Sequence, residues 1–132
     1  MTDRRDEESP QIKLVYAIML SAEKQQAKFI AIAAPSVMFW VDGAWQLEMT
    51  PPEALFTPII RRLGVMIGVL PPGRGQTVAG ALTLMVGDAR KLHYRVQLQR
   101  DDILEAYIQR VTPEEQAASV HPVLPSGHPF RS

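Results

Sequence analysis

Ser36-Val-Met-Phe-Trp-Val-Asp-Gly-Ala-Trp-Gln-Leu-Glu-Met-Thr-Pro-Pro-Glu53 is the stretch whose reading decides the fold. Val37, Phe39 and Val41 alternate with Met38 and Trp40. The run is β-branched and aromatic, which suits a pleated, half-buried surface. Asp42-Gly43 follows, a strong short-range hairpin signal, because a type I′ turn needs positive φ at both central residues. Trp45, Leu47 and Met49 then alternate with Gln46 and Glu48, so the hairpin has a second strand. Thr50-Pro51-Pro52-Glu53 has the pattern of a capping box, with Thr50 at the N-cap, Pro51 at the first helical position and Glu53 reaching back.

The chain around this stretch reads as one domain with a flexible arm (residues 1–8), an α+β body (9–111) and a short helix with a tail (112–132). Ser9-Pro10 starts a helix. Its Ile12, Val15, Ile18, Met19 and Ala22 recur at spacings of three and four and so share one face. Lys28 to Ala34 is a short apolar run, read as a buried strand before the hairpin. After the Pro-Pro step, Leu55, Ile59, Leu63, Met66 and Ile67 mark a second amphipathic helix that stops between Gly64 and Gly68. Arg61 and Arg62 are expected to face outward from it.

Val69 to Gly75 is a loop by composition. Thr77 to Val86 and Leu92 to Leu98 form another hairpin around Gly87-Asp88-Ala89-Arg90. Asp101 and Asp102 are positioned to cap a helix over Ile103 to Arg110. Thr112-Pro113-Glu114-Glu115 repeats the cap-plus-proline device for one more short helix. The sum is an antiparallel sheet of about five strands with helices packed on one face.

Composition narrows the function. The 132 residues carry 14 basic and 14 acidic side chains, so the net charge is zero. A dedicated nucleic-acid binder would show a basic field, and nucleic acid is not an expected partner. The chain has no cysteine, which excludes disulfides, thiolate metal sites and cysteine nucleophiles. No apolar run reaches the ~20 residues needed to cross a bilayer, so no membrane insertion is expected. The expected location is the cytoplasm.

No catalytic constellation stands out. Gly73-x-Gly75 lacks the lysine and hydroxyl residue of a phosphate-binding loop. His93, His121 and His128 have no metal-ligand spacing, and a metal site needs three or four converging ligands. No G-x-S-x-G elbow occurs. The sequence therefore predicts neither an enzyme nor a bound metal or cofactor.

The segment from Ile12 onward resembles the second N-terminal domain of the type II secretion and type IV pilus assembly ATPases. Leu14-Val15-Tyr16-Ala17-Ile18-Met19-Leu20-Ser21-Ala22 is similar to that family's leading helix, "Leu-Val-x-x-Ile-x-x-x-Ala". Val41-Asp42-Gly43 matches its strand ending, and Leu55 to Gly68 matches its "Leu-x-x-x-Ile/Val-x-x-Arg-Leu/Ile-x-x-Met-x-Gly" helix. The stretch from Gly73 to Val96 looks like the family's Gly-Arg loop and following hairpin.

The resemblance implies a PAS-like sheet-and-helix fold and a free-standing, diverged copy, since the chain has no room for the motor domain. Met38 and Trp40 stand where the family usually carries arginines, and the family's acidic and histidine positions in the first strand are absent from Ala27 to Ala33. Arg95 is the one polar position of that kind that remains.

The function implied is a non-catalytic protein-interaction module working with a secretion or pilus machinery, its partner a protein or a second copy of itself. The partner-binding residues expected are Met38, Trp40, Trp45 and Arg95. The alternative is a PAS-like domain that senses a small molecule or nucleotide in an apolar pocket between sheet and helices. Trp40 and its neighbours face away from the core if Phe39 and Val41 face into it. An exposed apolar patch of that kind marks a partner site unless C-terminal elements cover it.

Overall fold

The structure, a computed structural model, describes residues 10–125. The arm expected over residues 1–8, Ser9 and the last part of the tail, 126–132, lie outside the described residues. Helix α1 (Pro10–Gln25) leads into strands β1 (Phe29–Ala33), β2 (Ser36–Val41) and β3 (Ala44–Met49). A single 3₁₀ turn (Glu53–Leu55) precedes helix α2 (Phe56–Ile67). Strands β4 (Gln76–Val86), β5 (Arg90–Arg100) and β6 (Leu104–Val111) follow, and helix α3 (Pro113–Ala118) closes the order. The architecture is α+β: one six-stranded sheet in the order β3-β2-β1-β6-β5-β4, antiparallel throughout.

Two three-stranded meanders thus meet at β1 and β6, with Phe29 opposite Gln109 and Ile30 opposite Ile108. The expected hairpin forms at Asp42 and Gly43, whose φ values of 53° and 80° are those of a type I′ turn. α1 and α2 cover one face. Val15, Ile18, Met19 and Ala22 are the buried side of α1, four of the residues that the spacing selects. Phe56, Ile59, Ile60 and Leu63 do the same for α2. They pack on Ile30, Ile32, Phe39, Val96, Leu98 and Ile108 from the middle of the sheet.

α2 ends where Gly68 turns left-handed at φ 75°, within the expected span. It approaches β4 closely there: a Cβ added to Gly80 would lie 2.9 Å from the Ile67 Cβ. A charged staple fastens α1 to the sheet. Glu23 accepts from Arg110, to one oxygen at 2.6 Å, and from Arg90 at 3.3 Å, and the Arg110 guanidinium lies 5.9 Å from the centre of the Tyr94 ring. Burial pushes the Tyr94 hydroxyl up to about 12, so it is neutral in this cluster at physiological pH.

Four expectations need correction. The segment 103–110 is not a helix but strand β6, paired on both sides. Its apolar residues fit two periods. Ala106 and Ile108 face the helices while Tyr107 and Val111 face the other way, and all four are buried. A segment apolar on both faces has no alternation to read. Asp101 and Asp102 therefore lie in the β5–β6 turn, where Asp102 pairs with Arg74 at 3.2 Å.

The Thr50 capping box does not form either. Pro52 is extended (φ −52°, ψ 137°), and the α-helix begins only at Phe56 without a side-chain cap. The second proline disfavours a helical conformation at the first. β6 also raises the strand count from about five to six. Finally, helices do not occupy one face alone, because α3 lies on the side opposite α1 and α2. The second predicted cap, at Thr112, does form: Glu115 N–H donates to Thr112 Oγ1 at 3.1 Å, and Thr112 N–H donates to Glu115 Oε1 at 2.9 Å.

Candidate protein-interaction surface

The pleat decides which residues leave the core. Val37 and Phe39 are fully buried under the helices, so Met38 and Trp40 project from the opposite face. Pairing then assembles a cluster that no single segment contains. Trp40 lies across from Trp45 on β3 and from Phe29 on β1. The Trp40 and Trp45 rings meet at 5.4 Å and 76°, Trp40 and Phe29 at 6.4 Å and 86°, and Phe29 and Trp45 at 6.5 Å and 55°.

The two edge-to-face contacts, Trp40–Trp45 and Trp40–Phe29, each contribute about 0.5–1.5 kcal/mol beyond area burial. They brace the end of the sheet beside the Asp42-Gly43 turn. Met38 and its cross-strand partner Leu47 extend the apolar surface by one more pair. Phe29 is buried, Met38, Trp40 and Trp45 are half-buried, and Leu47 is 59% exposed. The Trp45 indole Nε1 is shielded from solvent and has no hydrogen-bond partner.

Arg95 does not join this cluster. It stands on β5, with β6 and β1 between it and Trp40. Only 8% of it is exposed. Its guanidinium donates to the Glu115 carbonyl at 2.7 Å, to the Ser119 carbonyl at 2.8 Å and to Gln109 Oε1 at 3.4 Å. These carbonyls belong to the C-terminal end of α3, where the helix presents partial negative charge. Arg95 thus holds the chain's own C-terminal helix.

Gln116 completes the attachment. Its Nε2 donates to the Leu82 and Tyr94 carbonyls at 2.9 and 3.1 Å, and its Oε1 lies 3.2 Å from His93 Nδ1. Val123 N–H then donates to Gln109 Oε1 at 3.0 Å, which ties Val123 to the sheet. Cover by C-terminal elements is therefore real over the β5–β6 part of this face. The aromatic cluster lies at the β2–β3 end.

The Thr112 cap makes part of this cover sensitive to acid. The hydrogen bond from the Thr112 N–H is the main influence that holds the Glu115 carboxyl below its ordinary range. A carboxyl lowered in the folded state contributes stability that is present above its unfolded pKa and is lost as pH falls through the folded one. Amide exchange over residues 113–118 should therefore quicken, relative to the sheet, below the ordinary carboxylate range. Glu115→Gln should flatten that dependence. Exchange rates with the same acid limb in both proteins would contradict the assignment.

Sequence reasoning brought together Met38, Trp40 and Trp45 and missed Phe29. The alternation of Phe29, Ala31 and Ala33 with Ile30 and Ile32 gave a signal, but its meaning depends on the register with β2. Among the described residues, no group of three histidine, aspartate or glutamate side chains converges on a point that could hold a metal. His93, shared between Gln116 and Thr83 Oγ1 (3.3 Å), is a docking contact for α3.

No protein-family model matches the chain, and no curated protein is significantly similar to it. Solved structures do match. The ATPase DotB of Legionella pneumophila superposes with a TM-score of 0.55 at 12% identity, over 83% of this chain and 35% of that one. The ATPase DotB of Yersinia pseudotuberculosis gives 0.49 at 14% identity, over 73% and 29%. The chain therefore spans about a third of the length of those ATPases, and what it shares with the Legionella protein is a fold.

Proposed function

We propose that the chain is a non-catalytic interaction module of a secretion or pilus machinery, and that it binds a protein partner in the cytoplasm through the Phe29–Trp40–Trp45 end of its sheet. The observation that carries this reading is the aromatic cluster itself. It sits on the sheet face away from α1 and α2, with half-buried Trp40 and Trp45, and continues into Met38 and exposed Leu47. Tryptophans in partly desolvated positions are the side chains that anchor protein interfaces.

The machinery is suggested by two independent likenesses. The motifs from Leu14 to Gly68 resemble a domain of secretion and pilus ATPases, and the fold is shared with part of an ATPase. A sensing role has less support. Two depressions among the described residues hold about 160 Å³, beside Tyr16 and Met85, and about 270 Å³, beside Arg61 and Arg100. Both fall under the ~300 Å³ at which ligand pockets usually begin.

The test is binding of the purified chain to purified components of a secretion or pilus machinery, the motor ATPase first, by titration calorimetry. Trp40→Ala with Trp45→Ala should weaken the interaction by about 30-fold, the value of a 2 kcal/mol anchor. Lys13→Ala, on the far side of α1, should not. Binding unaltered by the double substitution, or absent for every component, would sink the reading.

A further inference from the structure

The two edges of the sheet are built differently. A strand with unpaired N–H and C=O groups invites another strand, and proteins guard against this with short edges, bulges, prolines and charges. β3 has such guards. It is six residues long, its pairing with β2 shifts register between Val37 and Met38, and prolines follow it at 51 and 52. Its Glu48 is also covered, accepting from Ser21 and Gln25 of α1 at 3.1 and 2.9 Å.

β4 has none of them. It runs for 11 residues, Gln76-Thr-Val-Ala-Gly-Ala-Leu-Thr-Leu-Met-Val86, without a charge or a proline. Its pairing with β5 is unbroken from Gln76–Arg100 to Val86–Arg90. Among the described residues no strand lies on its outer side. In an antiparallel ladder every second residue of such a strand turns its amide and carbonyl outward. Ala81, Thr83 and Met85 are exposed along it.

We infer that β4 is a dimerisation edge, pairing antiparallel with β4 of a second copy of this chain about a two-fold axis near Ala81. Charge selects both the occupant and the direction. An uncharged strand meets no like charge when it lies against itself. Exposed Arg74, which also pairs with Asp102 at 3.2 Å, precedes it, and exposed Asp88 follows it. Antiparallel pairing centred on Ala81 sets residue 74 of one copy beside residue 88 of the other, twice. Parallel pairing would set like beside like. The contact is isologous and closes at two copies, and it makes one continuous sheet across the dimer. It lies at the opposite end of the sheet from the aromatic cluster and stands whether or not that cluster binds a partner.

Sedimentation equilibrium of the full chain, with amide exchange at low and high protein concentration, tests this. The wild type should form dimers as concentration rises, and alternate amides of β4 should gain protection while those of β3 do not. Ala81→Lys and Ala81→Glu each place like charges across the axis and should give monomers with wild-type circular dichroism. An equimolar mixture of the two should dimerise again, and Asp88→Arg should weaken the wild-type dimer. A wild type that stays monomeric at its highest soluble concentration overturns the inference. So does a dimer that survives Ala81→Lys, one without new protection in β4, or a mixture that fails to reassociate.

Discussion

Phe39→Ala should lower the free energy of unfolding by about 3–5 kcal/mol, the range for deleting a buried aromatic side chain. The measurement is equilibrium denaturation, with the midpoint moving and the slope unchanged. Phe39 is fully buried and belongs to the cluster between the sheet and the helices. β2 lies between β1 and β3, with Ile30 and Gln46 opposite Phe39 on either side. Its strand is therefore not free to shift and close the void. Small domains are stable by only about 5–15 kcal/mol in total, so the loss is a large share of the whole. Trp40→Ala removes a side chain of greater volume one residue away but should cost less, because Trp40 is half-buried and on the other face. If the two substitutions cost the same, the assignment of faces is wrong.

Arg95→Ala should release α3 and the residues after it while leaving the sheet folded. A hydrogen bond to a charged group contributes about 1.5–3 kcal/mol, and two of this kind, to the Glu115 and Ser119 carbonyls, are lost together. No residue of α3 is buried, so the helix has little apolar contact to keep it in place. Hydrogen exchange should show protection lost over 113–125 and kept in β1 and β6. Arg95→Lys should rescue little, because one ammonium group cannot reproduce the planar fork that spans two carbonyls. Retained protection in the alanine variant would show that Gln116 alone holds the helix.

These two residues also mark how far the sequence can be read. Phe39 was legible because its environment is set by alternation within one strand. The same holds for the Asp42-Gly43 turn, the buried stripe of α1 and the Thr112 cap, each of which rests on residues a few positions apart. Arg95 was legible as a retained cation but not in its role. Its partners lie 20 and 24 positions further along the chain, and nothing in the local pattern brings them together. β6 was misread for a related reason. Its position at the middle of the sheet buries both of its faces, and that removes the alternation by which a strand is recognised. At Thr50 a correct motif lost to a local steric conflict, since the Pro51-Pro52 step keeps the chain extended.

The sequence by itself determined the class of fold, the first hairpin, the amphipathic faces of α1 and α2, and the side of the sheet on which Met38 and Trp40 lie. These follow from periods of 2 and 3.6 and from the backbone limits of glycine and proline, which act over a few residues. Only the tertiary structure decided that β1 and β6 join the two meanders. It also decided that Phe29 completes the aromatic cluster, that Arg95 is spent on α3, and that β4 is left as a long bare edge. Each of those depends on strand order, which is set by how the whole chain buries its apolar surface at once.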